Sequence, residues 1–347
     1  MAGKLDYSGE DITVSPQQAT DLLAAIMAAA GCSHATARTV AEHLTDASLC
    51  GVASHGLVRA MQYVQQFEAG YMSPSSQPEL RQTTRGAWEV DGHGGIGIPA
   101  MHMGLDHCMT EARERGIAAI AVKHCGHTGR LGAYAEKGAD NGFLTICVGG
   151  GGQHNWCQVA PYGGAKGLLP TNPYAFGIPG GSDGPVMIDF ATGSIAAGWI
   201  YAAKSANALL PEGTMVDAQG RPTRDPQDYF DGGAILPFGG PKGYGLGLMA
   251  EMIGEAMLGP STTECNWFII CVDTRRWREP SSLQTAAEEI LAEVRACPPA
   301  QGFERVEVPG ERERRQRAEN TIRGITLPLA TWQQIEALAN RLGVEVS

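Results

Sequence analysis

The chain carries little charge and none of the marks of export or membrane insertion. Only 18% of its 347 residues are Asp, Glu, Lys or Arg, and acidic residues outnumber basic ones 37 to 26, for a net charge of -11. A surface of that sign repels nucleic acid and anionic lipid unless a local patch overrides it. The one basic cluster, "RERRQRAENTIRG" from Arg312 to Gly324, is interrupted by glutamates and reads as a solvated helix face, so neither partner is expected. No apolar stretch approaches the roughly 20 residues needed to cross a bilayer. No charged-then-apolar leader opens the sequence, which makes the cytoplasm the expected compartment. The nine cysteines include no CxxC pair, and several sit inside apolar runs such as "FLTICV" and "FIICVD", as reduced core thiols do. Internal repeats and low-complexity tracts are also missing.

What is present is a hydrophobic fraction of 43% and 46 glycines, which is the composition of a globular chain with many tight turns and close backbone approaches. Its length exceeds that at which single cores stop growing, so two or three units are expected. Ser15 is placed to cap a helix with Pro16 at its first position and Gly31 past its end, and Ser33 with Gly51 repeats the design. A third helix follows from the spacing of Leu57, Val58, Met61, Tyr63 and Val64, and "GYMSPSSQPEL" ends it. From Trp88 onward short apolar runs ("AWEVDG", "IAAIAVKH", "FLTICVGGGG") alternate with helical stretches, which argues for an α/β layer. Further strands are expected at "YAFGIPG", "VMIDFA" and "FIICVD", in a mixed sheet. The amphipathic "LPLATWQQIEALANRLG" is expected to pack back on the N-terminal helices.

Several motifs bear on chemistry. "GHGGIG", Gly92 to Gly97, fits GxGxxG, but the next strand ends in "AVKHCGH", with Lys and His where the Rossmann fingerprint needs an acidic residue; a tight glycine turn is expected instead. In "SHGLVRAMQY", His55 and Arg59 are four apart and are expected on one helix face, where an imidazole can exchange a proton and a guanidinium can grip a carboxylate. The same spacing also suits a capping Ser54 followed by a surface His and Arg. His127 lies between Gly126 and Gly129, in a loop accessible to a ligand. His124 and His127 lack a third ligand at diagnostic spacing, so no metal is expected. Asn172 in "TNP" is either a presented amide or a structural Asx-Pro turn. Lys242, entering a helix from a glycine loop, suits a phosphate although the Walker spacing is missing.

Taken together, "SHGLVR", "GHTGRLGAYAE", "VAPYGG…TNPYAFGIP", "VMIDFATG", "LPEG…VDAQGRPTRDP", "LPFGGPKGYGLGLMAE" and "VPGERE" resemble, in order and over nearly the whole chain, the malate/L-lactate dehydrogenase family that is unrelated to the Rossmann lactate dehydrogenases. The resemblance implies a non-Rossmann NAD(P)-binding α/β fold with a mixed sheet and a helical segment formed by both termini. Residues 1–76 with 312–347 would form a helical dimerisation domain, and 77–311 the α/β cofactor and substrate domain. It implies a homodimer that uses NAD or NADP to transfer a hydride to or from a small L-2-hydroxy acid or 2-oxo acid; relatives reduce cyclic imino acids such as pyrroline- or piperideine-2-carboxylate, and "GHTGRLG" sits closer to the hydroxy-acid branch. Carried over, His55 and His127 are the catalytic histidines, and Ser54, Arg59, Tyr63 and Asn172 the substrate-binding residues. Ile188, Asp189, Phe190, Ala191, Thr192, Lys242, Gly310 and Glu311 line the cofactor. The sequence departs from the pattern in a long "GGGGQHNWCQVAP" loop and a short "PSTTECNWFIICVD" stretch, both expected to border the pocket.

Overall fold

A computed structural model describes residues 10–152, 154–205 and 207–346. The chain divides into two compact units. The larger comprises the described residues up to 147, then 175–189 and from 269 on; the smaller comprises those of 148–174 and 190–268. The helices of both termini lie in the larger unit with the sheet.

The larger unit begins with β1 (Asp11–Val14) and two helices whose starts follow from their caps. Ser15 Oγ accepts the Gln18 N–H at 3.1 Å and Pro16 opens α1 (Pro16–Ala29); Ser33 Oγ accepts the Thr36 N–H at 3.2 Å before α2 (His34–Leu49). Gly31 and Gly51, at φ +103° and +73°, end them in the left-handed region. The chain continues through α3 (Arg59–Glu68), β2 (Glu79–Gln82), β3 (Trp88–Gly95), α4 (Gly97–Arg115), β4 (Ile117–Cys125), α5 (Gly132–Asp140), β5 (Phe143–Gly150), β6 (Tyr174–Ile178) and β7 (Val186–Phe190). Its seven-stranded sheet has the order β2-β3-β4-β11-β5-β6-β7, with β11 at Asn266–Asp273. β2 runs antiparallel and β4 parallel to β3, so the sheet is mixed as expected. Gly104 lets α4 lie close on the sheet, since a Cβ there would stand 2.8 Å from Val122.

The smaller unit holds α6 (Ala197–Ser205), β8 (Met215–Val216), β9 (Pro222–Thr223), α7 (Pro226–Phe230), β10 (Ala234–Ile235) and α8 (Pro241–Glu251), which passes into a π-helix at Met252–Met257. Val159, Leu169, Ile200, Met215 and Ile235 form its core.

After β11 the chain makes α9 (Pro280–Ala296), α10 (Glu311–Arg323), β12 (Ile325–Pro328) and α11 (Leu329–Arg341). Trp332, Ile335 and Leu338 of α11 pack with Leu23, Ile26 and Leu44, as the apolar spacing anticipated. A feature the sequence did not announce is that β1 and β12 pair antiparallel, Asp11 opposite Pro328 and Val14 opposite Ile325, and so tie the two termini. The basic run on α10 is not wholly a solvated face: Arg317 turns inward to Asp46 (2.8 Å) and Glu136 (2.7 Å), and Asn320 Nδ2 donates to Leu49 O at 3.0 Å. Seven cysteines are buried and Cys157 and Cys297 exposed. No helix among the described residues is long and apolar enough to cross a membrane.

Candidate active site

His55 ends a short 3-10 turn, Ala53–His55, and Gly56 breaks the chain before α3 begins at Arg59. The expected shared helix face is therefore corrected: the two residues are brought together by a turn and a break. The break needs glycine, because a Cβ at Gly56 would overlap the Ser48 hydroxyl, which itself accepts the Leu57 N–H at 3.0 Å. Arg59 reaches back, Nε donating to Ser54 O at 2.6 Å, while its Nη1 donates to Gln62. Ser54 Oγ lies 3.0 Å from His55 Nδ1.

His127 arrives from the loop between β4 and α5, and its ring stacks on that of His55, 5.4 Å between centroids at 28°. Its Nδ1 is 2.7 Å from the Tyr63 hydroxyl and also accepts the Gly129 N–H at 3.2 Å. A backbone amide can only donate, so Nδ1 carries no proton, Tyr63 donates as well, and the neutral ring holds its proton on Nε2. Burial, then the charge of Arg59, pushes the His127 pKa well below its ordinary value. The same two causes bring His55 down to about 4. Both imidazoles are thus neutral bases or donors at neutral pH, beside a guanidinium.

The "GHGGIG" stretch is a corrected element too. It is the irregular end of β3, where the pairing with β4 shifts register between Asp91 and Gly95, and it runs straight into α4. Its role is to fasten the His127 loop: Gly126 N–H donates to Gly95 O at 2.9 Å, and Gly97 N–H to His127 O at 3.1 Å. Nothing in the spacing of the motif distinguished this from a phosphate turn.

Elsewhere in the larger unit, Ile188 and Asp189 are exposed on β7, and Asp189 Oδ2 accepts the Gly132 N–H at 2.6 Å at the start of α5. Gly310, at φ +92°, lies against Met187 of the same strand, since a Cβ there would stand 3.3 Å from Met187 N. The Glu311 carboxylate beside it accepts Arg295 Nε (2.6 Å) and the Val308 N–H (2.8 Å).

In the smaller unit, Phe190 stacks on Tyr174 at 5.9 Å, Ala191 is half-buried, and Thr192 donates from N and Oγ1 to Thr171 O at 2.7 and 2.9 Å. Asn172, at φ +39°, is fully buried and donates from Nδ2 to Glu251 Oε1 at 2.5 Å. Glu251 also accepts the Gly151 N–H at 2.9 Å; it was missed, although a carboxylate in the apolar run "YGLGLMAEMIG" is a signal. Lys242 is exposed in the first turn of α8, after Gly239 and Gly240 at φ +55° and +59°. The two atypical loops meet: Asn155 Nδ2 donates to Thr263 O at 3.3 Å and Ser261 Oγ to Gly151 O at 2.5 Å; Gln153 lies outside the described residues.

Comparison with known proteins places this geometry. A family model described as malate/L-lactate dehydrogenase matches residues 14–336. A Δ1-pyrroline-2-carboxylate/Δ1-piperideine-2-carboxylate reductase of Pseudomonas putida is 32% identical over 336 residues, covering 93% of this chain and 94% of that protein. An L-sulfolactate dehydrogenase of Methanocaldococcus jannaschii is 29% identical over 346 residues, covering 96% and 98%. The solved malate dehydrogenase of Entamoeba histolytica has the same fold, with a TM-score of 0.90 at 22% identity and coverage of 97% and 99%. The chain is an oxidoreductase of the hydroxy-acid dehydrogenase class. It belongs to the malate/L-lactate dehydrogenase family, whose dehydrogenases use nicotinamide cofactors.

Proposed function

We propose that this chain interconverts a small L-2-hydroxy acid and its 2-oxo acid with NAD or NADP, and that His55, His127 and Arg59 form its reacting centre. The observation that carries the reading is the pair of stacked imidazoles, both kept neutral first by burial and then by the same nearby guanidinium.

The residues assigned to the cofactor suit a dinucleotide. Exposed Lys242 in the first turn of α8, after the left-handed Gly239 and Gly240, offers a cation to phosphate. Exposed Ile188 offers an apolar shelf, with Asp189 and the Gly310-Glu311 turn beside it. A nicotinamide cofactor held there would supply hydride transfer at the substrate carbon.

Arg59 holds the substrate carboxylate and so aims the reacting carbon, with Ser54 at the mouth of the turn. In oxidation His55 accepts the proton of the substrate hydroxyl at a ring nitrogen, and His127 donates from Nε2–H to the oxygen as negative charge builds on it; in reduction His55 returns the proton. A bound carboxylate offsets the Arg59 charge, which is second only to burial in holding His55 low. The base therefore strengthens when substrate arrives. Tyr63 sets the His127 tautomer, and Asn172, held by Glu251, fixes its own loop.

A second reading is retained because a relative 32% identical is a reductase of cyclic imino acids. The same carboxylate grip and proton donor serve a C=N bond, the proton then going to nitrogen. A cytoplasmic homodimer, joined through the helices of both termini, completes the proposal; light scattering checks the oligomer.

The deciding experiment follows reduced-nicotinamide absorbance with NADH and NADPH across 2-oxo acids, 2-hydroxy acids and cyclic imines. Turnover of an oxo or hydroxy acid is expected, and turnover of imines alone transfers the assignment to the second reading. No turnover of any member, with no thermal shift from either cofactor, would sink both.

A further inference from the structure

Residues 126–130 of the loop that carries His127 each have an identifiable holder. Gly126 N–H goes to Gly95 O and His127 O takes the Gly97 N–H, as described. Thr128 O accepts the Tyr134 hydroxyl at 2.5 Å, Gly129 N–H goes to His127 Nδ1, and Arg130 N–H donates to His43 Nε2 at 2.9 Å. The last three residues are thus held by the His127 ring itself and by two side chains, His43 on the distant α2 and Tyr134 on α5, the helix that follows the loop.

His43 and Tyr134 are both buried, and their rings stack 5.2 Å apart at 28°. Gly129, at φ +74°, lies flat against the imidazole, where a Cβ would overlap His43 Nε2. Because that nitrogen accepts a backbone amide, His43 is neutral with its proton on Nδ1. The charged or titratable groups that face it are His102 on α4, Arg130 in the loop and His55; burial comes first among the causes that hold its pKa well down. Arg130 is fixed a second time through its side chain, Nη2 pairing with Asp46 at 2.9 Å and Glu136 at 3.1 Å. A loop pinned at this many points does not need His43 for its existence. What His43 and Tyr134 add is a defined height and tilt for residues 128–130, one of which, Gly129, bonds directly to the catalytic ring.

We propose that the stacked pair His43 and Tyr134 positions the His127 imidazole, acting through the backbone of Thr128, Gly129 and Arg130. The inference rests on the reading above that His127 meets the substrate, and neither ring is assigned a contact with it.

The test uses Y134F, H43F and H43Q in the full chain. Y134F removes one hydroxyl and keeps the stack; H43F keeps the stack and removes the acceptor; H43Q restores an acceptor. In Y134F and H43F kcat is expected to fall, by about 5-fold for one neutral hydrogen bond and toward 100-fold if the ring shifts by about an ångström, with cofactor affinity unchanged. H43Q is expected to recover most of the loss. In the ligand-free protein, His127 imidazole nitrogen resonances should show one Nε2–H tautomer in the wild type and averaging of tautomers in H43F and Y134F. Wild-type kcat and an unaltered His127 signal in Y134F, the variant least able to disturb folding, would overturn the proposal; so would a loss in H43Q equal to that in H43F. The resonance readout needs no substrate, so a failure of the assigned reaction leaves it standing and is told apart from a failure of this inference.

Discussion

The Tyr63 hydroxyl lies 2.7 Å from Nδ1 of His127, on a nitrogen that already accepts the Gly129 N–H at 3.2 Å. Two donors on one lone-pair nitrogen fix which end of the imidazole is protonated before any ligand arrives. Tyr63, expected at the substrate carboxylate, places its hydroxyl on the histidine. Y63F should leave the Gly129 bond in place and lose one neutral hydrogen bond, about 0.5–1.5 kcal/mol or roughly 2- to 12-fold in kcat/KM. Equal kcat/KM in Y63F and wild type, measured by steady-state kinetics, would remove Tyr63 from the mechanism.

Arg59 supplies a different test, because its fork is already partly committed: Nε donates to Ser54 O at 2.6 Å and Nη1 to Gln62. Lysine keeps the positive charge but has no planar second edge to offer a carboxylate. R59K is expected to raise KM for the organic acid by roughly 10- to 150-fold, the worth of a charge-assisted hydrogen bond of about 1.5–3 kcal/mol. Cofactor affinity, read by fluorescence titration, should not move. A shift in cofactor affinity with unchanged KM for the acid would reassign the residue.

The depressed histidines set the pH behaviour, with a definite sign. His55 and His102 fall to about 4 from an ordinary 6.5, mainly through burial, and His43 and His127 lie well below it. The unfolded chain therefore binds protons that the folded chain does not, so stability is fully present above about 6.5 and declines as pH falls toward 4. Thermal melts should show Tm dropping across that window, and a flat Tm would contradict the burial of these rings. In kinetics, the acid limb of kcat/KM belongs to the free enzyme and that of kcat to the complex. Since a bound carboxylate offsets Arg59, the kcat limb should lie at higher pH than the kcat/KM limb. The reverse order would place the carboxylate elsewhere.

Much of this was legible in the chain. Ser15, Pro16 and Gly31 mark α1 because capping is local chemistry, and Trp332, Ile335 and Leu338 mark the packing face of α11 because apolar spacing is local geometry. The contact of His55 with His127 was reached only through resemblance, since it depends on a loop 72 positions away that no local rule brings near. The β1–β12 pair escaped for the same reason: two four-residue strands at opposite ends have no mutual signature. The helix face imagined for His55 and Arg59 failed at Gly56, where the crowding of Ser48 against the missing Cβ is a tertiary fact. The spacing of "GHGGIG" was ambiguous, because glycine serves phosphate and close backbone packing equally well, and only the missing acidic residue on the next strand spoke against phosphate.

That last ambiguity has a direct test in one methyl group. A Cβ at Gly97 would meet Gly126 O, Thr128 Cγ2 at 2.5 Å and His127 O at 3.1 Å, and two of these are rigid backbone oxygens. The backbone of Gly97 has ordinary helical geometry at the start of α4, so conformational strain is not the obstacle; space is. G97A should therefore cost about 1–3 kcal/mol of stability by overpacking. Because the displaced atoms belong to the His127 loop, kcat should fall more than that loss of stability explains at temperatures where the variant remains folded. Gly198, exposed in α6 with open space around its Cα, is the matched control: G198A should be neutral or stabilising by up to about 1 kcal/mol, since alanine replaces glycine within a helix. Opposite signs for the same substitution, read by denaturation and kinetics, would assign Gly97 to packing. If G97A instead kept full stability and kcat and lost only cofactor affinity, the glycine run would be a phosphate loop after all.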